Sequence, residues 1–310
     1  MSARQRGERE RRAAQGKGRG CRIEGRCDST RAAAKGASGR WGPKAVGCIV
    51  AVANQKGGVA KTTTTINLAA ALGRRGQRVL VVDLDPQGSL TLCCGFNPDR
   101  LSASIYEALM KGLPAEEIRL RAAFGVDLLP ANIDLSMAEM ELVHLVARER
   151  RLGAVLSSVR DVYDFVLLDC QPSLGLLTVN ALAVADEVLI PVACEFLSQR
   201  GVDVLLKMLG KIRLRLNSRL RVIGILPTLF DSRTIHARQT LEWLADRYGA
   251  RYRLFPTPIA RSIRFAESAR QGKPIFDVAP EIPGAHAYEE AAQHLLNERS
   301  SGRQGRMSPE

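Results

Sequence analysis

The sequence has no apolar run near the ~18–20 residues that cross a bilayer, which excludes a spanning helix by composition alone. It has no Cys-x-x-Cys pair. Its seven cysteines are odd in number and scattered, several inside apolar runs, and the four histidines lie elsewhere. That pattern argues against a disulfide framework and a zinc site, and for reduced thiols in a cytoplasm. No internal repeat is evident, so a solenoid or propeller is excluded. Charge of one sign is scarce only locally. The first 46 residues carry thirteen Lys and Arg against four acids, so about +9 of the formal +13 sits there and only about +4 on the rest.

Residues 1–46 are rich in Arg, Gly, Ala and Ser without apolar periodicity, a composition that cannot bury enough surface to order itself. Three readings stand open: a basic arm that binds nucleic acid by charge, an organellar transit peptide, or an upstream mis-start before Val46. After this tail the pattern becomes strand, loop, helix, repeated. The short apolar runs GCIVAVA (47–53), RVLVVDLD (78–85), GVDLLPA (125–131), DFVLLDC (164–170), EVLIPVAC (187–194) and LRVIGILPT (220–228) read as strands buried on both faces. Helical patterns over 61–73, 135–146, 202–216 and 235–248 separate them. This alternation predicts an α/β fold: one mostly parallel, doubly wound sheet covered by helices, in a single domain over 47–297 with a polar tail over 298–310.

Within QKGGVAKTTTT (55–65) a strand ends, glycines follow, and Lys-Thr opens a helix. Glycines let the backbone approach an anion, consecutive N–H groups point inward, and the helix N-terminus adds partial positive charge. Gly57, Gly58, Val59, Ala60, Lys61, Thr62 and Thr63 therefore form a candidate phosphate cradle of the P-loop type. Lys61 is placed to reach the β- and γ-phosphates, and the Thr62 hydroxyl to ligate Mg²⁺. Two acidic strand ends follow: DLDPQG (83–88) and the run closing at Asp169. Ligands in such sheets sit at the strands' C-terminal ends, so Asp83, Asp85 and Asp169 should converge on a triphosphate. Three carboxylates facing phosphates require a cation, which implies ATP with Mg²⁺.

The segments KGGVAKTT, DLDPQGSLT, YDFVLLDCQPSLGLLTVNAL, PVACEF, LPTLFDSRT and ARSIRFAESARQGKP together resemble the ParA/Soj family of chromosome- and plasmid-partitioning ATPases, over essentially 47–297. The resemblance implies a deviant Walker A motif in which Lys56 reaches across an ATP-dependent homodimer to the partner's nucleotide, like an arginine finger in trans. It implies that Asp85 positions or activates the attacking water, that Asp169 holds Mg²⁺, and that Asp83 supports the metal shell. Asn180 matches a family asparagine of open role. Hydrolysis is expected to be slow and stimulated by a ParB-type partner. The dimer is expected to bind double-stranded DNA without sequence preference through Arg233, Arg261 and Arg264, on the nucleoid in the cytoplasm.

Two departures stand out. Ala60 replaces the commoner glycine, which costs roughly 1–2 kcal/mol if the position needs positive φ, and is read as tolerated. Gln171 replaces the first proline of the usual DCPPS, a change that can alter the hydrolysis rate. The rival readings are a MinD-like ATPase, an orphan relative that positions another cargo, and a metabolic P-loop enzyme. Membrane docking of the MinD kind needs bulky apolar residues on a C-terminal amphipathic helix, and NERSSGRQGRMSPE has none, so no membrane partner is expected.

Overall fold

The computed structural model describes residues 47–195 and 199–304. The question of what residues 1–46 do therefore lies outside the described residues. The strands are β1 (Cys48–Val52), β2 (Val79–Leu84), β3 (Leu120–Arg121), β4 (Asp127–Leu129), β5 (Phe165–Cys170), β6 (Glu187–Ala193) and β7 (Arg221–Thr228). The α-helices are α1 (Lys61–Arg74), α2 (Ser89–Cys93), α3 (Ile105–Lys111), α4 (Ala115–Ile118), α5 (Leu135–Leu142), α6 (Arg151–Ser157), α7 (Leu176–Val184), α8 (Gln199–Arg215), α9 (Ile235–Tyr248), α10 (Arg264–Arg270) and α11 (Pro283–Gln304).

All seven strands join one sheet in the order β3-β4-β2-β5-β1-β6-β7. Every pairing is parallel except β3 with β4, which is antiparallel. The period of two sorts the side chains. Ile49, Ala51, Leu80, Val82, Val166 and Leu168 face one core, with α3, α5, α6, α7, α8 and α9 packed over it. Val50, Val79, Val81, Leu167, Leu189 and Leu226 face the other, covered by α1, α2 and α11. Burial on both faces is why the strands read as unbroken apolar runs. It also confirms the doubly wound sheet as the expected architecture.

Some boundaries differ from the sequence pattern. The helix read over 135–146 is α-helical only over Leu135–Leu142, and 143–146 turns away with Val143 and Val146 exposed. The strand read over 125–131 shortens to Asp127–Leu129, because Gly125 sits in a turn at φ 85 and Pro130 has no N–H for a ladder. The last helix runs to Gln304, past the expected edge at 297. Among the described residues no helix is long and apolar enough to cross a membrane.

Candidate phosphate-binding site

The register explains why the acids meet. Asp169 of β5 pairs with Asp83 of β2 on one side and with Val52 of β1 on the other. Thus the two acidic strand ends lie level with the start of the loop that joins β1 to α1. In that loop Gly58 has φ 71, and Ala60, the residue preceding α1, has φ 64 and ψ 35. Positive φ at alternate residues turns successive N–H groups toward one concavity, suited to an anion. Ala60 is therefore a strained alanine in a position that favours glycine, at a cost of about 1–2 kcal/mol. The loop is anchored on both sides. Thr228 at the end of β7 donates to the Val59 carbonyl at 3.0 Å, and Thr64 meets the Tyr288 hydroxyl of α11 at 3.2 Å.

Lys61 is buried and its Nζ donates to the Lys56 carbonyl at 2.9 Å, curling over the loop. Burial lowers its pKa, against the opposing pull of Asp169 and Asp85. Thr62 Oγ1 donates to Asp169 Oδ2 at 2.7 Å, and Thr65 Oγ1 reaches Asp169 Oδ1 at 3.3 Å. Asp169 is fully enclosed, and burial first, then the neighbouring Asp83 charge, push its pKa up to about 8. Asp85 stands half-exposed just past β2, with Gln87 N donating to its Oδ1 at 3.0 Å. Its charge reaches both Lys61 and Asp169.

Asp83 is fully buried at the end of β2. Its carboxylate accepts from Thr91 N at 2.9 Å, Thr91 Oγ1 at 2.8 Å and Asp85 N at 3.1 Å. These donors tie it to the turn that carries Asp85 and to Thr91 on α2. Burial holds its pKa up at about 6. Among the described residues no three His, Cys, Asp or Glu side chains cluster as a metal cage. The oxygens that do meet are the Thr62 hydroxyl and the Asp169 carboxylate. They suit a hard cation that takes its other ligands from phosphate and water.

Lys56 points elsewhere. Its Nζ lies 3.4 Å from Glu195 Oε2, just beyond β6, and its backbone N–H donates to Asn54 Oδ1 at 3.0 Å. Glu195 also receives Arg261 at 2.7 Å. Arg233 makes a two-pronged pair with Asp231, at 2.9 and 2.8 Å, with its side chain 87% exposed. Arg264 pairs with Glu267 at 2.6 Å. The backbone brings two of these arginines to one place: Phe230 N donates to the Ile259 carbonyl and Arg261 N to the Phe230 carbonyl, beside a cavity of about 650 Å³ that both Asp231 and Arg261 line. So each of the three arginines already holds a carboxylate. Asn180 also gains a role, bonding Leu152 N, Arg148 O and Leu176 O so that α7 is pinned to the start of α6. Thr91, Glu139, Glu195 and Tyr288 went unnoticed in the sequence, since each acts on a partner with no fixed spacing.

A phosphate loop between strand and helix, a buried lysine, and an acid paired with the helix's first threonine define a P-loop ATPase with a second lysine before the glycines. The AAA domain family profile matches residues 47–222. An uncharacterized protein of Mycobacterium tuberculosis is 46% identical over 251 residues, covering 80% of this chain and 78% of its own. The chromosome-partitioning ATPase Soj of Thermus thermophilus is 45% identical over 248 residues, covering 80% and 94%. A Mycobacterium smegmatis crystal structure named cobyrinic acid a,c-diamide synthase, with bound ATP analog and magnesium, is 42% identical with a TM-score of 0.74, covering 83% and 97%. The chain belongs to the ParA/Soj family of ATPases.

Proposed function

We propose that this chain binds ATP with Mg²⁺, dimerises on it, binds double-stranded DNA without sequence preference, and segregates chromosomes or plasmids with a ParB-type partner. The observation that supports this most is the division of labour between two lysines in one loop. Lys61 curls over its own cradle, whereas Lys56 carries its ammonium out to Glu195, away from that cradle. A lysine so placed suits the phosphates of a second copy.

The residues fit the chemistry. The loop N–H groups and Lys61 bind the phosphates, and Thr62 with Asp169 would hold Mg²⁺, which neutralises charge developing on the phosphoryl oxygens. Asp85, close enough to Lys61 and Asp169 to shift both, orients the attacking water and accepts its proton. Arg233 and Arg261 exchange their carboxylate partners for DNA phosphates, as Arg264 does on α10. That exchange makes binding dependent on salt.

The name of the M. smegmatis structure raises a second reading, amidation of a small molecule. Against it, burial raises the pKa of every cysteine among the described residues, Cys93 and Cys194 to about 12, so none of these five is an activated nucleophile that could release nitrogen from an amide donor. A cargo other than DNA, or a membrane surface, leaves the same ATPase residues in place. The test is retention of random-sequence duplex DNA by the full chain at moderate salt, with and without Mg-ATP, beside anionic liposomes. ATP-dependent retention on DNA alone is expected. Retention on liposomes alone, or on neither, would overturn the DNA assignment; retention on DNA regardless of ATP would move it to residues 1–46.

A further inference from the structure

We propose that Glu139 is a positioning residue for nucleotide hydrolysis, holding the loop that leaves the Asp169 strand against the phosphate loop. Glu139 lies on α5, 32 positions before Gln171, and no local pattern joins the two. Its Oε1 accepts from Gln171 Nε2 at 2.8 Å and from the backbone N–H of Leu177 at 3.4 Å. Leu177 belongs to the first turn of α7, whose preceding residue, Gly175, offers no side chain to cap it. The carboxylate therefore supplies from another helix the acceptor that α7 lacks, at the end where its dipole favours negative charge. Gly175 leaves the space for this, since a Cβ there would run into the Glu139 carboxylate.

One clamp thus fixes both ends of the segment 171–177. The segment between them bears on the site. A Cβ built at Gly57 would lie 3.8 Å from Pro172 Cβ, so Pro172 borders the phosphate loop at the residue that follows Lys56. The path runs from Glu139 through Gln171 to Pro172, which lies beside Gly57. Gln171 stands where the family's usual pattern has proline, whose ring would stiffen this loop without help. Here a hydrogen bond from α5 does that work. Glu139 touches neither nucleotide nor metal, and acts through the loop.

The proposal rests on the ATPase reading, and its test separates the two. Hydrogen exchange and steady-state hydrolysis are measured on the full chain with Glu139→Ala, Glu139→Gln and Gln171→Ala, with Mg and a non-hydrolysable ATP analogue as the exchange probe. Loss of the cap should raise exchange over 171–178 about fivefold in Glu139→Ala, and exchange over 56–60 should rise with it. The kcat should fall about tenfold, less than the ~100-fold of an ångström's misplacement, with KM for ATP within about twofold. Glu139→Gln keeps an acceptor oxygen and should recover most of both, while Gln171→Ala should shift both in the same direction by less. Unchanged exchange over 56–60 in Glu139→Ala, or no recovery in Glu139→Gln, would overturn the proposal. A wild type without hydrolysis would remove the ATPase reading instead. The exchange comparison needs no turnover and decides the positioning claim in either case.

Discussion

The phosphate end and the arginine end of this molecule treat their carboxylates in opposite ways. At the phosphate end Asp169 and Asp83 are enclosed and stand near each other, and their pKa values rise to about 8 and about 6. At the arginine end Asp231 lies at the surface, and hydrogen bonds from Arg233 hold it down at about 2. Raised values in a buried cluster mark carboxylates whose charge burial disfavours and the fold alone does not compensate, a setting that suits a neighbouring cation. A lowered value at the surface marks a pair already satisfied, screened by salt and easily exchanged for another anion. The first region is enclosed and held by its own hydrogen bonds. The second can change partners at little cost, which suits contacts with a DNA backbone.

The comparison breaks most sharply at Asp85. Asp85→Ala leaves the cradle, Lys61 and Asp169 in place, so ATP binding should persist while turnover falls by about 10²–10⁴-fold. Equilibrium binding beside single-turnover hydrolysis checks this, and equal loss of both would mean that Asp85 serves binding instead. The arginine end should respond more mildly. Arg233→Glu or Arg264→Glu should weaken all duplexes alike, and in a dimer should flatten the slope of log affinity against log salt by about 2, one contact per copy. A sequence-dependent loss in a salt titration would contradict a backbone-only role.

A third test separates the regions by pH. Asp169 binds its proton more tightly folded than unfolded, so its contribution is complete below pH 3.8 and is lost as pH climbs through about 8. Without nucleotide and Mg²⁺, the melting temperature should fall over that window, and Asp169→Asn should flatten the fall. Asp231 runs the other way, since its contribution is present above pH 3.8 and disappears only as pH drops through about 2. Lys61, lowered by burial from 10.5, opposes the trend at alkaline pH, so the comparison belongs below pH 8. The smallest effect is at Ala60. Removing the left-handed strain with Ala60→Gly should raise stability in denaturant by no more than about 1 kcal/mol, because glycine's freedom when unfolded offsets part of the gain.

What could be read from the sequence was whatever is local. The buried strands appear as contiguous apolar runs, and the cradle occupies consecutive residues from Gly57 to Thr63. Asp85 was placed because it follows β2 directly. The contacts of Asp83 were not legible, because its partner Thr91 lies on the next helix, and only the folded turn brings the hydroxyl back to the carboxylate. Lys56 and Glu195, 139 positions apart, are joined only by the adjacency of β1 and β6. The edge strand β3 is two residues long, too short for any alternation to register. Side-chain pairs formed across the sheet leave no period in the chain, and they are where the structure added most.

The central claim is that Lys56 serves a second copy while Lys61 serves its own loop. Mass in solution by light scattering tests it most directly, on the wild type, Lys56→Ala and Lys61→Ala with Mg-ATP, with nucleotide binding followed in parallel. The wild type should double in mass, Lys56→Ala should bind ATP yet remain at the monomer mass, and Lys61→Ala should lose ATP itself. A Lys56→Ala chain that dimerises like the wild type would contradict the account.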